Sequence, residues 1–185
     1  MREYADAQKD LAKHDAAAAE KRLERAVELA PQFAQAWNNL GTIAYQTRRF
    51  PLAEKRFREA LRQDPDSYEP LVNLGGVLIN VYKLDEAVDV NVHATLVRPS
   101  DALAHSQLGM AYFETRQFDL AVKHLEIARR LDAAHFSHPQ LYLAEIFLRR
   151  EDKRAAAEVL EDFLRHHPDY PQAEIMRQRI AELRR

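Results

Sequence analysis

The histidines are the residues best placed to do chemistry in this chain. His135 and His138 stand three apart, and His166-His167 sit together before Pro168. Two imidazoles at such spacing can share a metal ion. A zinc site usually takes three or four protein ligands, and no motif fixes the remaining ones here, so these read as loop histidines. No metal and no other cofactor is expected. His105 reads as a packed, hydrogen-bonded histidine. The chain has no Cys, which removes disulfides, thiolate ligands and a thiol nucleophile. Its four glycines, Gly41, Gly75, Gly76 and Gly109, all fall within helical patterns, so none forms a phosphate-cradling loop. A Gly-x-Ser-x-Gly elbow is also absent. Carboxylates occur in runs such as Glu20-Lys21-Arg22-Leu23-Glu24-Arg25, which read as solvated, ion-paired helix faces. The chain is not expected to be an enzyme.

Composition narrows the partner class. A hydrophobic content of 46% is enough to bury a core, and 30% charged residues keep its surface wet. The formal net charge of −2 does not favour nucleic acid or an anionic membrane. The 27 cations divide into 20 Arg and 7 Lys, a bias that fits the codon usage of a GC-rich, bacterial genome. No apolar run approaches the roughly 18 residues of a spanning helix, so membrane insertion is not expected. The opening Met-Arg-Glu-Tyr-Ala-Asp lacks the apolar stretch of a signal peptide. A soluble protein is expected, with the compartment left open between cytoplasm and periplasm.

The elements that position these residues follow from a repeat. Pro31, Pro65, Pro99 and Pro168 keep a beat of 34 residues, with one beat missing near Ala133. Twelve residues before each marker stands an alanine: Ala19, Ala53, Ala87, Ala121 and Ala156. Ala26, Ala60, Ala94 and Ala128 follow five before it, with Phe163 the exception. Twenty-four before it the residue is always small: Ala7, Gly41, Gly75, Gly109 and Ala144. Glycine inside a helix costs roughly 1 kcal/mol relative to alanine, so three in phase imply a close helix crossing that offsets it. Leu40, Leu74, Leu108 and Leu143 supply the core of the first helix, and Leu23, Phe57, Leu125 and Leu160 that of the second. Proline ends each hairpin, while Pro70 and Pro139 fit first turns. Asp85 and Asp119 read as caps of second helices. Asn91 stands where Phe57 and Leu125 stand in their own units, and reads as a satisfied polar residue at a loosened core.

The stretch Trp37-Asn38-Asn39-Leu40-Gly41, followed by Ala53, Phe57, Ala60 and Pro65, closely resembles the tetratricopeptide repeat family. The pattern recurs in about five units over nearly the whole chain. The resemblance implies an all-α fold: a right-handed superhelix of about five hairpins in a single domain, 1–185. The units run about 1–33, 34–67, 68–101, 102–136 and 137–170, with a capping helix at 171–185. In that helix Ala173, Met176, Ile180 and Leu183 share one stripe. The sequence departs from the family at the helix-to-helix turn. Where glycine is frequent it has His14-Asp15, Arg48-Arg49, Tyr82-Lys83, Arg116-Gln117 and Glu151-Asp152. The stretch His135-Phe136-Ser137-His138 adds one residue and implies an irregularity. Glu3, Asp6 and Asp10 occupy places that are apolar in later units, which fits a polar cap or a segment of a longer array.

The family's geometry implies that first helices line a concave groove. Its sixth place reads Asn39, Asn73, Gln107 and Tyr142, and its ninth Thr42, Gly76, Met110 and Glu145. Its twelfth reads Tyr45, Ile79, Phe113 and Leu148. With Asn38, this is a line of amides beside an apolar and aromatic line. An amide offers two donors and an acceptor, matching an extended peptide main chain. The line is similar to the asparagine ladder in the repeat region of O-linked N-acetylglucosamine transferase; Asn39 and Asn73 carry that likeness, Gln107 is longer, and Tyr142 breaks it. A cationic clamp for an acidic chaperone tail is not expected. The second place reads Gln35, Glu69, Leu103 and His138, and the fifth Asn38, Val72, Ser106 and Leu141. The expected function is a scaffold that binds a protein or peptide segment in this groove. The alternatives are self-association and a docking arm of a longer protein.

Overall fold

The structure is a computed structural model that describes residues 2–185. Every regular element among them is an α-helix. The chain divides into two compact units, Met1–Val97 and Arg98–Arg185.

The first unit holds three hairpins: α1 (Arg2–Ala12) with α2 (Ala16–Leu29), α3 (Ala34–Gln46) with α4 (Phe50–Gln63), and α5 (Tyr68–Asn80) with α6 (Leu84–Val97). Each helix packs on its hairpin partner, each second helix meets the next first helix, and α3 touches α5 directly. The second unit holds α7 (Ala102–Glu114) with α8 (Phe118–Leu131), α9 (Pro139–Arg149) with α10 (Lys153–His166), and the terminal α11 (Ala173–Leu183). There α7 touches α9 and α11 lies on α10. Ile180 and Leu183 join the core formed by Leu143, Ile146 and Val159, with Met176 packed against it.

Small-against-large packing holds each hairpin together. A Cβ placed on Gly41 would lie 2.5 Å from Cε1 of Phe57, and one on Gly109 2.6 Å from Cγ of Leu125. Phe57 and Leu125 are buried, so the glycines are required by the closeness of the two helices. Burying such a side chain contributes about 1.5–3 kcal/mol.

All five intra-hairpin turns share one geometry, built without glycine. His14, Arg48, Tyr82, Arg116 and Glu151 have φ between 58° and 61°. After each, a backbone N–H reaches back five residues to the last turn: Arg49 to Ala44 (2.8 Å), Lys83 to Leu78 (2.9 Å) and Gln117 to Tyr112 (2.8 Å) are typical. This is the Schellman closure, whose left-handed residue is usually Gly. The left-handed conformation costs a side-chain-bearing residue roughly 1–2 kcal/mol.

Three details differ from the sequence reading or refine it. Asp85 and Asp119 are not caps: α6 begins at Leu84 and α8 at Phe118, with Gln117 at the cap. The two carboxylates lie inside the first turn and act on the helix dipole. Side-chain caps are instead Asp15 on Ala18 N, Asp101 on Ala104 N and Asp152 on Ala155 N, each at 3.0 Å. Asn91 is only half satisfied. Its Nδ2 donates to the Ala87 carbonyl (2.8 Å), while its buried Oδ1 has no partner.

The irregularity near His135 is real. Residues 132–138 separate α8 from α9, where 30–33 and 64–67 suffice between hairpins of the first unit. His138 takes a left-handed φ of 49°, and Gln140 Nε2 ties the loop down through the Ala133 carbonyl at 2.7 Å. At the other end of the chain, Arg22 of α2 draws together the carboxylates of Asp10 (2.6 Å), Glu3 (3.9 Å) and Asp6 (4.0 Å). An ionic joint thus stands where later hairpins use apolar residues.

Candidate functional site: a face of stacked amides

In the first unit the helices α1, α3 and α5 lie side by side, and a polar register crosses them. Asn39 Nδ2 donates to the Tyr4 hydroxyl (3.3 Å), Asn73 Nδ2 to Asn38 Oδ1 (3.2 Å), and Asn80 Nδ2 to the Tyr45 hydroxyl (3.3 Å). Each pair is 35 residues apart, one more than the repeat length. The offset brings the place after a given residue beside it on the next first helix. The predicted amides Asn38, Asn39 and Asn73 are therefore coupled to neighbouring helices.

The other predicted places fall on the same helices. Thr42 donates to the Asn38 carbonyl (3.1 Å), a bond within its own helix. Tyr45 is exposed, with its ring 5.6 Å from that of Phe50. Gly76 presents its carbonyl to Asn80 Nδ2 at 2.8 Å, and Ile79 is half-buried. Beside them a hollow of about 340 Å³ opens between α1, the start of α2, and α3. Leu11, Ala16 and Ile43 give it an apolar side, and Asn39, Thr42 and Gln46 a polar one. Tyr4 and Asn80 were not among the expected residues. Their only sequence signal is the one-period-plus-one spacing to Asn39 and Tyr45.

In the second unit the corresponding places are more aromatic. Phe113 meets Tyr142 edge-on at 5.3 Å and Phe118 at 5.8 Å. The Arg149 guanidinium lies 5.6 Å from the Phe113 ring centroid and 5.8 Å from that of Phe118, within cation–π range. Gln107 is half-buried with its Oε1 buried and unpartnered, and Met110 is half-buried.

The second helices carry the charge. Within the first unit Arg49 reaches Glu20 (2.9 Å), Arg56 reaches Glu24 (3.2 Å) and Lys83 reaches Glu54 (2.7 Å). Arg58 bridges Glu54 and Glu86. Burial would raise the Glu54 carboxyl, but hydrogen bonds from Lys83 and Arg58 hold it below the usual range. In the second unit Arg150 pairs with Asp119, Arg129 with Asp162, and Arg184 with Glu161. These contacts join successive helices as ion pairs and leave the first-helix amides as the uncharged surface.

The histidines do not come together as a metal site; no group of three or more His, Asp or Glu fit to hold one occurs among the described residues. His138 packs against the rings of Phe163, His167 and Tyr170, and His135 Nδ1 meets Ser137 Oγ at 2.7 Å. His105 is buried and bonded as expected. Its Nε2 donates to the Pro99 carbonyl (3.0 Å), leaving Nδ1 to accept from Nδ1–H of His124 at 3.0 Å. Burial, the neighbouring His105 and Lys123 push the His124 imidazole down to about 4. Trp37 makes the equivalent bond, Nε1 to the Pro31 carbonyl at 2.7 Å. It is packed against the core of the first hairpins.

Residues 3–76 match a family model described as tetratricopeptide repeat, and residues 140–170 match a second model of the same description. The chain is 29% identical over 119 residues to the cell division cycle protein 16 homolog of Homo sapiens, 60% of this chain and 19% of that protein. It is 30% identical over 91 residues to tetratricopeptide repeat protein 21A of Mus musculus, 49% of this chain and 7% of that protein. The chain thus spans a fifth or less of these curated relatives. Among solved structures it is similar to YrrB, described as a TPR protein with an unusual peptide-binding site. The TM-score is 0.81 at 20% identity, covering 95% of this chain and 90% of that one. It is also similar to Pseudomonas aeruginosa pilF, with a TM-score of 0.82 at 20% identity over 98% and 82% of the two chains. At such identity the likeness concerns the fold. Among the described residues, no helix is long and apolar enough to cross a membrane.

Proposed function

Because this chain belongs to the tetratricopeptide repeat family, whose stacked hairpins build extended binding surfaces, we propose that it is a scaffold holding a peptide segment of a partner protein against α3 and α5. The observation that carries this reading is the amide register. Asn39 and Asn73 each use one N–H on a neighbouring helix. Each keeps a second N–H and an acceptor oxygen, with no protein partner for them among the described residues. Those groups match the alternating donors and acceptors of an extended main chain. Thr42, Tyr45, Gly76 and Ile79 beside them offer apolar and aromatic contact and an open place at glycine, so affinity comes from main-chain hydrogen bonds and apolar burial. In the second unit Gln107, Met110, Phe113 and Tyr142 are the corresponding contact residues.

The test is affinity capture of a partner from the source cell, repeated with the double substitution Asn39→Ala, Asn73→Ala. Loss of two main-chain hydrogen bonds of about 1 kcal/mol each corresponds to roughly 30-fold weaker binding. Unchanged affinity overturns the amide register as the binding device.

A further inference from the structure

The first unit carries a second candidate site, where its first helices meet its second helices. Where α3 meets α2 and α4, a crease is lined by Glu24, Val27, Glu28, Trp37 and Arg56. Where α5 meets α4 and α6, the next crease is lined in part by Arg58, Leu61, Arg62, Leu71 and Val90. These are the same places displaced by 34 residues. In the first crease the chain supplies its own contents: the Trp37 indole lies in it, the Arg56 guanidinium covers that ring at 5.2 Å, and the indole N–H binds the Pro31 carbonyl.

In the second crease the ring and its cover are both missing. Leu71 replaces Trp37 and Val90 replaces Arg56, and an opening of about 480 Å³ results, against about 360 Å³ in the first. Its walls are Leu61, Leu71, Leu74, Val90 and Pro65. Pro65 stands where Pro31 stands, and the Leu71 side chain has no donor to offer its carbonyl. The charge pattern is also incomplete. Arg58 is held by Glu54 and Glu86, Arg62 by Glu59, and His93 by Asp66. Asp89, one repeat after Lys55, is exposed and has no partner among the described residues.

We propose that this crease is an anchor site for a tryptophan side chain followed by a lysine or arginine on a partner protein. The indole takes the place that Trp37 fills in the first crease and donates to the Pro65 carbonyl, while the basic residue covers it and pairs with Asp89. This site is separate from the amide face of α3 and α5 and does not depend on it.

The probe is the peptide Ac-Ala-Trp-Arg-Ala-NH2, titrated into the full chain carrying labelled Leu, Val and Ile methyl groups and followed by NMR. Saturable shifts are expected at the Leu61, Leu71, Leu74 and Val90 methyls. Asp89→Asn, or exchange of the peptide's Arg for Glu, weakens the response about two- to fivefold, the size of one exposed ion pair. The double substitution Leu71→Trp, Val90→Arg rebuilds the first crease in the second and abolishes the shifts at Leu61 and Leu74. An unchanged melting temperature establishes that the fold persists, and Asp89→Asn, on the surface, tests the site independently. The proposal is overturned if Ac-Ala-Ala-Arg-Ala-NH2 gives the same shifts, or if none saturate. It is also overturned if they fall only at Ile79 on the amide face, a result that leaves the scaffold reading standing.

Discussion

Gly75 faces Asn91 across the α5–α6 crossing, so close that a Cβ on the glycine would lie 2.6 Å from the amide carbon. The same crossing in the neighbouring hairpins is glycine against Phe57 and glycine against Leu125. Asn91 is fully buried with its Oδ1 unpartnered, and a buried unmade hydrogen bond costs about 1–3 kcal/mol. Asn91→Leu reproduces the Gly109–Leu125 pair and removes both halves of the amide. It is expected to stabilise the chain by about 1–2 kcal/mol. Urea unfolding checks this, and a lowered midpoint would mean the amide has an unseen partner.

Gly41→Ala is expected to act in the opposite direction. Phe57 is 1% exposed and its ring has nowhere to retreat from a new methyl group. Overpacking of this kind costs about 1–3 kcal/mol, against the gain of roughly 1 kcal/mol that alanine brings to an open helix position. A net loss of stability in the same unfolding assay is the expected outcome; a gain would show that the two helices can separate freely.

The hairpin turns offer a complementary set of changes. Arg48, Tyr82, Arg116 and Glu151 hold left-handed φ values with side chains attached. Substituting glycine relieves about 1 kcal/mol of strain at a smaller entropic cost. Tyr82→Gly, at a residue 74% exposed, should raise the unfolding free energy by about 0.5 kcal/mol or more. The control Val81→Gly, one residue earlier in ordinary backbone, should lower it.

Stability should also depend on pH in a defined window. The His124 imidazole falls from 6.5 to about 4 on folding, through burial first and the adjacent His105 second. The unfolded chain therefore takes up this proton before the folded one does. The stabilisation is complete above about 6.5 and is lost as pH falls through the interval down to about 4. His138, lowered by burial and by His167 and His135, contributes in the same direction. Unfolding measured from pH 7.5 to 4 should show this decline, and His124→Gln should flatten part of it. A stability that rises on acidification would contradict a His124 imidazole held neutral by burial.

The hairpins were legible in the sequence because the rules that make them are local. Small residues recur at one crossing, proline follows four of the five second helices, and these features repeat about every 34 residues. The capping helix was readable from Ala173, Met176, Ile180 and Leu183 for the same reason. Helix starts were less legible: Leu84 and Phe118 open their helices two residues after the left-handed Tyr82 and Arg116. That leaves Asp85 and Asp119 two places too late to cap. Tyr4 and Asn80 went unseen because their roles depend on how one first helix slides against the next. That offset is set by packing across 35 residues and has no mark at either residue alone. The vacancy at Leu71 and Val90 is written in the sequence, but only the filled crease at Trp37 and Arg56 gives it meaning.

An acidic, carboxylate-ended chaperone-tail peptide should bind weakly or not at all. The places for a cationic clamp hold Gln35 and Asn38 in one hairpin and Glu69 and Val72 in the next. Calorimetric titration should give no saturable heat, and an affinity in the micromolar range would refute this expectation.

The most direct test of the scaffold account is site-specific photocrosslinking in the source cell. A crosslinking residue is placed at Tyr45 or Ile79 on the amide face, and at Lys21 of α2 as a reference position. Capture of one discrete partner from Tyr45 and Ile79, lost when Asn39→Ala and Asn73→Ala are added, is the predicted result. Capture of the same partner from all three positions, or one unaffected by the double substitution, would contradict the account.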